Sequence, residues 1–256
     1  MSEDIRAEAA KYYDVSPTIP DDIAFYQARL PSSEAMVLEL GCGTGRVLLP
    51  LAAVCGFIHG IDRSQAMLTH CLQKLQAAAI PPTKTRVELG DITQFALGRA
   101  FDLIIAPYRV FQLLETEAQV DGLLRCVRAH LAPGGTCILN VFHPQGGFAG
   151  VQQAWESMTE RGRWEVTVGG VRLRCEERWL RLDPERHLLY LELVYRRYVG
   201  GAWVEDAVLQ IPRRCYTPDA FEQVIREHGF QIVQRWGGYA GERYGAGPEL
   251  VVQFSA

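Results

Sequence analysis

Val37-Leu-Glu-Leu-Gly41-Cys-Gly43-Thr-Gly45-Arg46 is an apolar run that breaks into three glycines at alternate positions. The run 36–40 is short, apolar and closed by glycine, which predicts a buried strand. Glycines at 41, 43 and 45 allow a tight turn with no Cβ in the way, so a flat ligand can approach the backbone closely. The residues that follow predict a helix over 44–55, which Pro50 shortens or kinks. Its first turn would offer free N–H groups toward the same side.

Outward from this loop the chain alternates. Short helices are expected at 4–14 and 21–29, separated by Ser16-Pro17 and Ile19-Pro20. Further strands are expected at 56–61, 86–89, 101–106 and 136–142. Helices are expected at 64–79, with Ser64 as N-cap, and at 117–130, ended by Leu131-Ala-Pro-Gly-Gly135. Strands of about five residues alternating with helices imply an α/β fold around a parallel sheet buried on both faces. Ligands of such sheets sit outside the carboxyl ends of the strands, near the point where strand order reverses.

After Pro144 the pattern changes. Segments 163–168, 171–182, 188–199 and 203–211 read as strands joined by Gly169-Gly170, Asp183-Pro184 and Gly200-Gly201, an antiparallel meander. Thr217-Pro218-Asp219 opens a last helix, followed by strands at 230–236 and 249–254. The expected organisation is a helical cap over 1–30, an α/β core over 31–145, an inserted antiparallel lid or substrate or dimer subdomain over 146–215, and a helix with two strands over 216–256 that completes the core sheet.

A dinucleotide fingerprint needs a third glycine where Arg46 stands, and the lysine of a phosphate-binding Walker loop is missing. Asp62 follows the second strand, 21 residues after Gly41, where a carboxylate can accept both hydroxyls of a ribose. Asp91, in Gly90-Asp91-Ile92, follows the third strand, where it can meet an adenine amino group. Together with Glu39-Leu-Gly41-Cys-Gly43-Thr-Gly45, Gly60-Ile-Asp62-Arg63-Ser64, Met67, Phe101-Asp102-Leu-Ile and Leu131-Ala-Pro-Gly-Gly135, the chain resembles the class I S-adenosylmethionine (SAM)-dependent methyltransferases. The resemblance covers roughly 35–142 and the final helix and strands. It implies a Rossmann-like, mostly parallel seven-stranded sheet flanked by helices, with SAM as methyl donor and S-adenosylhomocysteine (SAH) as product.

The resemblance also implies roles. Gly41 and Gly43 would lie against the methionine and ribose parts of SAM, and Asp62 would hold the ribose. Met67, Asp91 and Ile92 would meet the adenine, and the Ala106 carbonyl would take the methionine amino group. Tyr12 or Tyr13 would close over the cofactor. Glu39, Cys42, Gly45, Arg63, Gly90 and Phe111 complete the candidate cofactor set. No metal is expected.

Methyl transfer needs alignment of a nucleophile, exclusion of water and, for some acceptors, removal of a proton. His143, just after the fifth strand, is the candidate base, and Tyr108 with Arg109 would border the methyl group. Arg214, Tyr216, Tyr239 and Tyr244 lie in segments expected to return toward the pocket. Ala106-Pro107-Tyr108-Arg109 lacks the [D/N]-P-P-[Y/F] pattern of base-modifying amino methyltransferases, and the net charge of −4 does not favour nucleic acid. A small-molecule acceptor with an O or N nucleophile is expected. The alternatives are an NAD-dependent oxidoreductase and a SAM-binding module without catalysis.

The meander holds Arg172, Arg174, Arg178, Arg181, Arg196 and Arg197 among Glu176, Glu177, Glu185 and Glu192. A charged face with cross-strand pairs is the favoured reading; a lid with a basic inner surface for an anionic acceptor is the alternative. Its edge strands allow a homodimer. Seven cysteines, with no C-x-x-C pair, suit a reducing cytoplasm. No apolar run reaches membrane-span length, and 1–11 lacks the apolar core of a signal peptide.

Overall fold

A computed structural model describes residues 4, 6–144, 146–155, 157–158 and 160–256. Its centre is a seven-stranded sheet of order β10-β11-β5-β4-β1-β2-β3. The strands are β1 (Met36–Leu40), β2 (Phe57–Asp62), β3 (Thr85–Leu89), β4 (Phe101–Ala106), β5 (Leu131–Phe142), β10 (Gln231–Trp236) and β11 (Glu249–Ser255). β11 runs antiparallel to both β5 and β10, and the other pairings are parallel. Both faces are covered. One apolar cluster joins Leu38, Ile104, Leu139 and Phe221, and the other joins Val37, Leu48, Leu103 and Ile138. Neighbouring residues of one strand thus enter opposite cores, as the two-residue period demands. Each fully buried Leu or Ile stabilises the fold by about 1.5–3 kcal/mol.

The helices follow local chemistry. The helix α4 (Gln65–Ala77) starts at Ser64, whose Oγ accepts the Met67 N–H. The helix α5 (Glu117–His130) starts at a full capping box made by Thr116 and Gln119. The helix α7 (Pro218–Glu227) starts at Thr217 with proline in its first turn. The helix α3 spans only Leu48–Ala52, shorter than the expected 44–55. Pro50 has no N–H for the Arg46 carbonyl, so the loop stays non-helical up to Val47. The N-terminal helices are also short, α1 (Ala10–Tyr13) and α2 (Ile23–Gln27). An additional helix, α6 (Gly147–Trp155), lies where no element was expected.

A second sheet, β6-β7-β8-β9, is a simple antiparallel meander of β6 (Arg161–Val168), β7 (Val171–Asp183), β8 (Leu188–Val199) and β9 (Ala202–Arg214). Its own apolar cluster includes Leu173, Cys175, Leu191 and Leu209, and it takes in Tyr12 from the N-terminal segment. The opposite face carries ion pairs. Arg178 reaches Glu160 and Glu192, and Arg196 reaches Glu160, Glu176 and Asp206. For these residues the favoured reading, a face of paired charges, matches the contacts.

Candidate functional site

β1 and β4 are neighbours, and the chain leaves them toward opposite sides of the sheet, β2 on one side and β5 on the other. This is the reversal point, and a crevice opens at its carboxyl edge. Gly41, Gly43 and Gly45 all have positive φ, at 70°, 54° and 77°. The Gly41 and Cys42 N–H groups both donate to the Ile61 carbonyl, at 2.8 and 3.1 Å, which binds the loop to the end of β2. A Cβ on Gly41 would come within 2.7 Å of Val110, whereas one on Gly43 would meet nothing within 4 Å. Gly43 therefore borders open space.

Asp62 is 3% exposed. Its Oδ2 accepts the Gly43 N–H and its Oδ1 accepts the Ser64 N–H, both at 2.8 Å. A carboxylate has about four acceptor positions, so capacity for two further donors remains. Asp91 anchors its own turn by accepting the Thr93 N–H and Oγ1–H at 2.8 and 2.7 Å on Oδ1. Asp62, Arg63, Gly90, Asp91 and Ile92 line one compartment of about 550 Å³, measured with its open mouth.

A larger compartment of about 1040 Å³, again including its mouth, lies between the core and the meander. Gly41, Gly43, Met67 and Tyr108 form its core side; Arg163, Trp164, Tyr195 and Arg213 form its meander side. Arg6, Gly41, Val110 and Leu113 line both compartments, so the two adjoin. The N-terminal segment forms the remaining wall through Tyr13, Ser16, Thr18 and Ile19. It is tied to both bodies. Asp4 accepts from Ser64 Oγ and the Ala66 N–H, and Asp14 accepts from Thr44 Oγ1 and pairs with Lys74. On the meander side Tyr12 stacks on Tyr195 at 5.9 Å and donates its hydroxyl to Glu205.

The turn after β4 is strained. Tyr108 and Arg109 have φ of 55° and 69°, a region that L side chains rarely adopt. Three contacts hold it. The Arg109 N–H donates to Asn140 Oδ1 at 3.0 Å, the Arg109 guanidinium pairs with Glu249, and Asn140 Nδ2 donates to Glu249 Oε2 at 3.1 Å. Tyr108 then meets Tyr13 edge to face across the larger compartment, with ring centroids 6.2 Å apart. Burial raises the Tyr13 hydroxyl pKa well above its usual value, so it stays protonated.

Several expected site residues lie elsewhere. His143 is absent from the lining of both compartments; its ring Nδ1 is bonded to the Tyr216 carbonyl at 2.9 Å and its N–H to the Pro248 carbonyl. That corrects its assignment as a base: the β5 turn carries the side chain toward α7. Phe111 is fully buried against Tyr216 and Phe221 in the core. Ala106 is also fully buried, and Pro107 takes its place in the lining. Met67 lines the larger compartment rather than the one beside Asp91. Cys42 and Gly45 of the loop, and Glu39 before it, are in neither lining.

Of the segments expected to return, Arg214 faces away and pairs with Glu117, while its neighbour Arg213 lines the cavity. Tyr216 packs in the core, Tyr239 packs against Phe25 and Tyr26, and Tyr244 reaches the Pro218 carbonyl. Arg46 is outside both linings: it makes two hydrogen bonds of 2.5 and 2.9 Å to the buried Asp22, with its guanidinium 5.7 Å from the centre of the Tyr108 ring. Among the described residues, no group of three or more His, Cys, Asp or Glu is arranged to hold a metal ion.

Residues 37–135 match the model of the methyltransferase domain family. This stretch of the core is thus similar to a methyltransferase domain. That family draws its methyl group from SAM. Among curated relatives, the chain is 29% identical over 119 residues to a dTDP-3-amino-3,4,6-trideoxy-alpha-D-glucopyranose N,N-dimethyltransferase of Streptomyces venezuelae, covering 46% of this chain and 47% of that one. A dTDP-3-amino-3,6-dideoxy-alpha-D-glucopyranose N,N-dimethyltransferase of Streptomyces fradiae is 26% identical over 181 residues, 68% of each chain. The match thus spans about half the length of the first relative and about two thirds of the second.

Solved structures are similar in fold over nearly the whole chain. A SAM-dependent methyltransferase from Clostridium acetobutylicum superposes with a TM-score of 0.75 at 16% identity, over 96% of this chain and 97% of that one. A SAM-bound amino pentose methyltransferase from Micromonospora echinaspora does so with a TM-score of 0.70 at 21% identity, over 97% and 96%. At these identities the likeness is one of fold.

Proposed function

We propose that this protein is a SAM-dependent methyltransferase acting on an amine of a small molecule. The observation that carries the reading is the junction of two compartments at the β1–β4 reversal point, one beside Asp62 and Asp91 and one beneath the meander. The residues present suit the cofactor. The open space beside Gly43 admits a ligand against the backbone, and Asp62 keeps acceptor capacity for a diol. Asp91 and Ile92 fit an adenine edge, and Arg6, whose buried Nε has no partner, fits a carboxylate.

SAM supplies a methyl group already activated on a sulfonium. The chain's own task is to fix the acceptor and exclude water. Tyr13 and Tyr108 meet edge to face on the wall of the larger compartment, and Ser16, Thr18 and Ile19 of the N-terminal segment extend that wall. Among the described lining residues of the larger compartment there is no Asp, Glu or His. A neutral amine needs no base before displacement, whereas a hydroxyl does, and this supports nitrogen over oxygen as acceptor. The names of the relatives agree, being N,N-dimethyltransferases of amino sugars. All seven cysteines are free, which supports a reducing cytoplasm.

The test is transfer of labelled methyl from SAM into a panel of small amines and their hydroxyl counterparts. Incorporation into amines, one SAH per methyl, is expected. Tight SAH binding with no incorporation across amines and metabolite extract would favour a non-catalytic module.

A further inference from the structure

Two arginines on the meander wall stand apart from the paired charges of its outer face. Arg163 on β6 and Arg213 on β9 both line the larger compartment. Glu177 is the acid beside them; it is 1% exposed and three of its roughly four acceptor positions are filled. Its Oε1 accepts from Arg161 at 2.9 Å and from Trp179 Nε1 at 2.7 Å, and its Oε2 accepts from Arg163 at 2.7 Å. Arg213 makes no hydrogen bond or ion pair among the described residues. Its guanidinium has the Phe142 ring as a neighbour, 5.8 Å from the ring centroid. Arg109 lies over the same ring at 4.7 Å, but its charge is matched by Glu249.

The balance is therefore unequal. One buried carboxylate faces Arg161, Arg163 and Arg213, and four arginines and no acid are found among the described residues lining the compartment. Arg213 is half-buried at the cavity wall with no carboxylate bonded to it, which leaves its planar fork open to an anion. Burial pulls the Arg213 pKa down to about 10, and the nearby Arg109 and Arg163 add to this against Glu177. The nearby thiols cannot supply the missing charge, because burial raises Cys175 to about 12 and Cys215 to about 11.

We infer that Arg213 and Arg163 form an oxyanion subsite, so that the methyl acceptor carries a carboxylate or phosphate as well as its nucleophile. This rests on the methyl-transfer reading for the word acceptor, but the subsite itself stands on the cavity wall alone. The anion would replace the missing partner of Arg213 with charge-assisted hydrogen bonds from a planar fork. Glu177 is a positioning residue: it holds Arg163 at the rim.

Inorganic phosphate and acetate are the probes, titrated into the SAH-saturated full chain by calorimetry at low and moderate salt. Binding of either is expected, weaker at higher salt. Arg213→Gln should weaken it about tenfold or more, and Arg213→Lys less. Arg178→Gln, on the outer face, should change nothing. SAH affinity and melting temperature of each variant are read alongside. Preference for phosphate or for acetate identifies which oxyanion is used. No binding of either, or binding that Arg213→Gln leaves intact, overturns the subsite. Failure of SAH to bind the wild-type chain would instead overturn the cofactor reading, since anion binding can be measured without it.

Discussion

Asp62 Oδ2 accepts the backbone N–H of Gly43 at 2.8 Å, so the carboxylate at the end of β2 and the glycine loop at the end of β1 form one unit. Its other oxygen takes the Ser64 N–H ahead of α4. Replacing Asp62 therefore removes a ligand group and the clasp of the loop together. Asp62→Ala should weaken SAH binding about tenfold or more and lower stability by about 1–3 kcal/mol for the unsatisfied N–H groups. Calorimetry with SAH and urea unfolding check the two effects. Unchanged SAH affinity would mean the ribose lies elsewhere.

The two loop glycines should respond differently. Gly43→Ala meets open space and carries only the strain of positive φ, about 1–2 kcal/mol. Gly41→Ala carries that strain and also drives a methyl into both γ-carbons of Val110, so it should destabilise by about 1–3 kcal/mol more. Adding Val110→Ala should recover part of the Gly41→Ala loss and none of the Gly43→Ala loss. Equal recovery in both would refute the contact. In SAH binding the order reverses: Gly43→Ala narrows the cleft itself.

Glu39 gives a pH-dependent stability. It is buried, one oxygen lacks a partner, and burial raises its pKa well above the ordinary 4.5 despite the charge of Arg46. An acid with a raised folded pKa holds its proton more tightly folded than unfolded. Its contribution is complete below pH 4.5 and declines as pH rises toward the folded value. Glu39→Gln removes that decline. Melting curves from pH 5 to 8 should show the variant gaining on the wild type as pH increases; parallel curves would contradict it.

The strained turn at Tyr108 and Arg109 is held by Asn140 and Glu249. Asn140→Ala should therefore lower kcat/KM for the acceptor by about tenfold or more through misplacement of Tyr108. SAH affinity should change much less, because the clasp at Asp62 is untouched. A loss carried wholly by SAH affinity would refute this division. His143→Gln should lack the loss of about 10²–10⁴-fold that follows removal of a general base, with an unchanged pH–rate profile.

Much of this was legible in the sequence, and the reasons differ by element. β1, β4 and α5 fall where apolar runs and caps place them, because those signals are local. The Gly41–Asp62–Asp91 arrangement was legible because successive parallel strands end on one edge of the sheet. Residue parity was not. A two-residue period says that Arg213 and Arg214 face opposite ways, but not which faces the cavity, and Arg214 was the one expected there. His143 and Phe111 follow strands that end at the right edge, yet a single turn carries each side chain into the core or toward α7. Arg163 was hidden among arginines of similar spacing, most of which pair on the outer face. The helix over Gly147–Trp155 is short and carries two glycines, which weigh against a helix when the sequence is read alone.

The most direct measurement is calorimetric titration of the full chain with SAH, with NAD in a parallel titration. One SAH per chain, binding that Asp62→Ala weakens, and no heat from NAD are expected. Binding of NAD, or absence of SAH binding by the wild-type chain, would contradict the assignment of the Gly41–Gly45 crevice to a methyl donor.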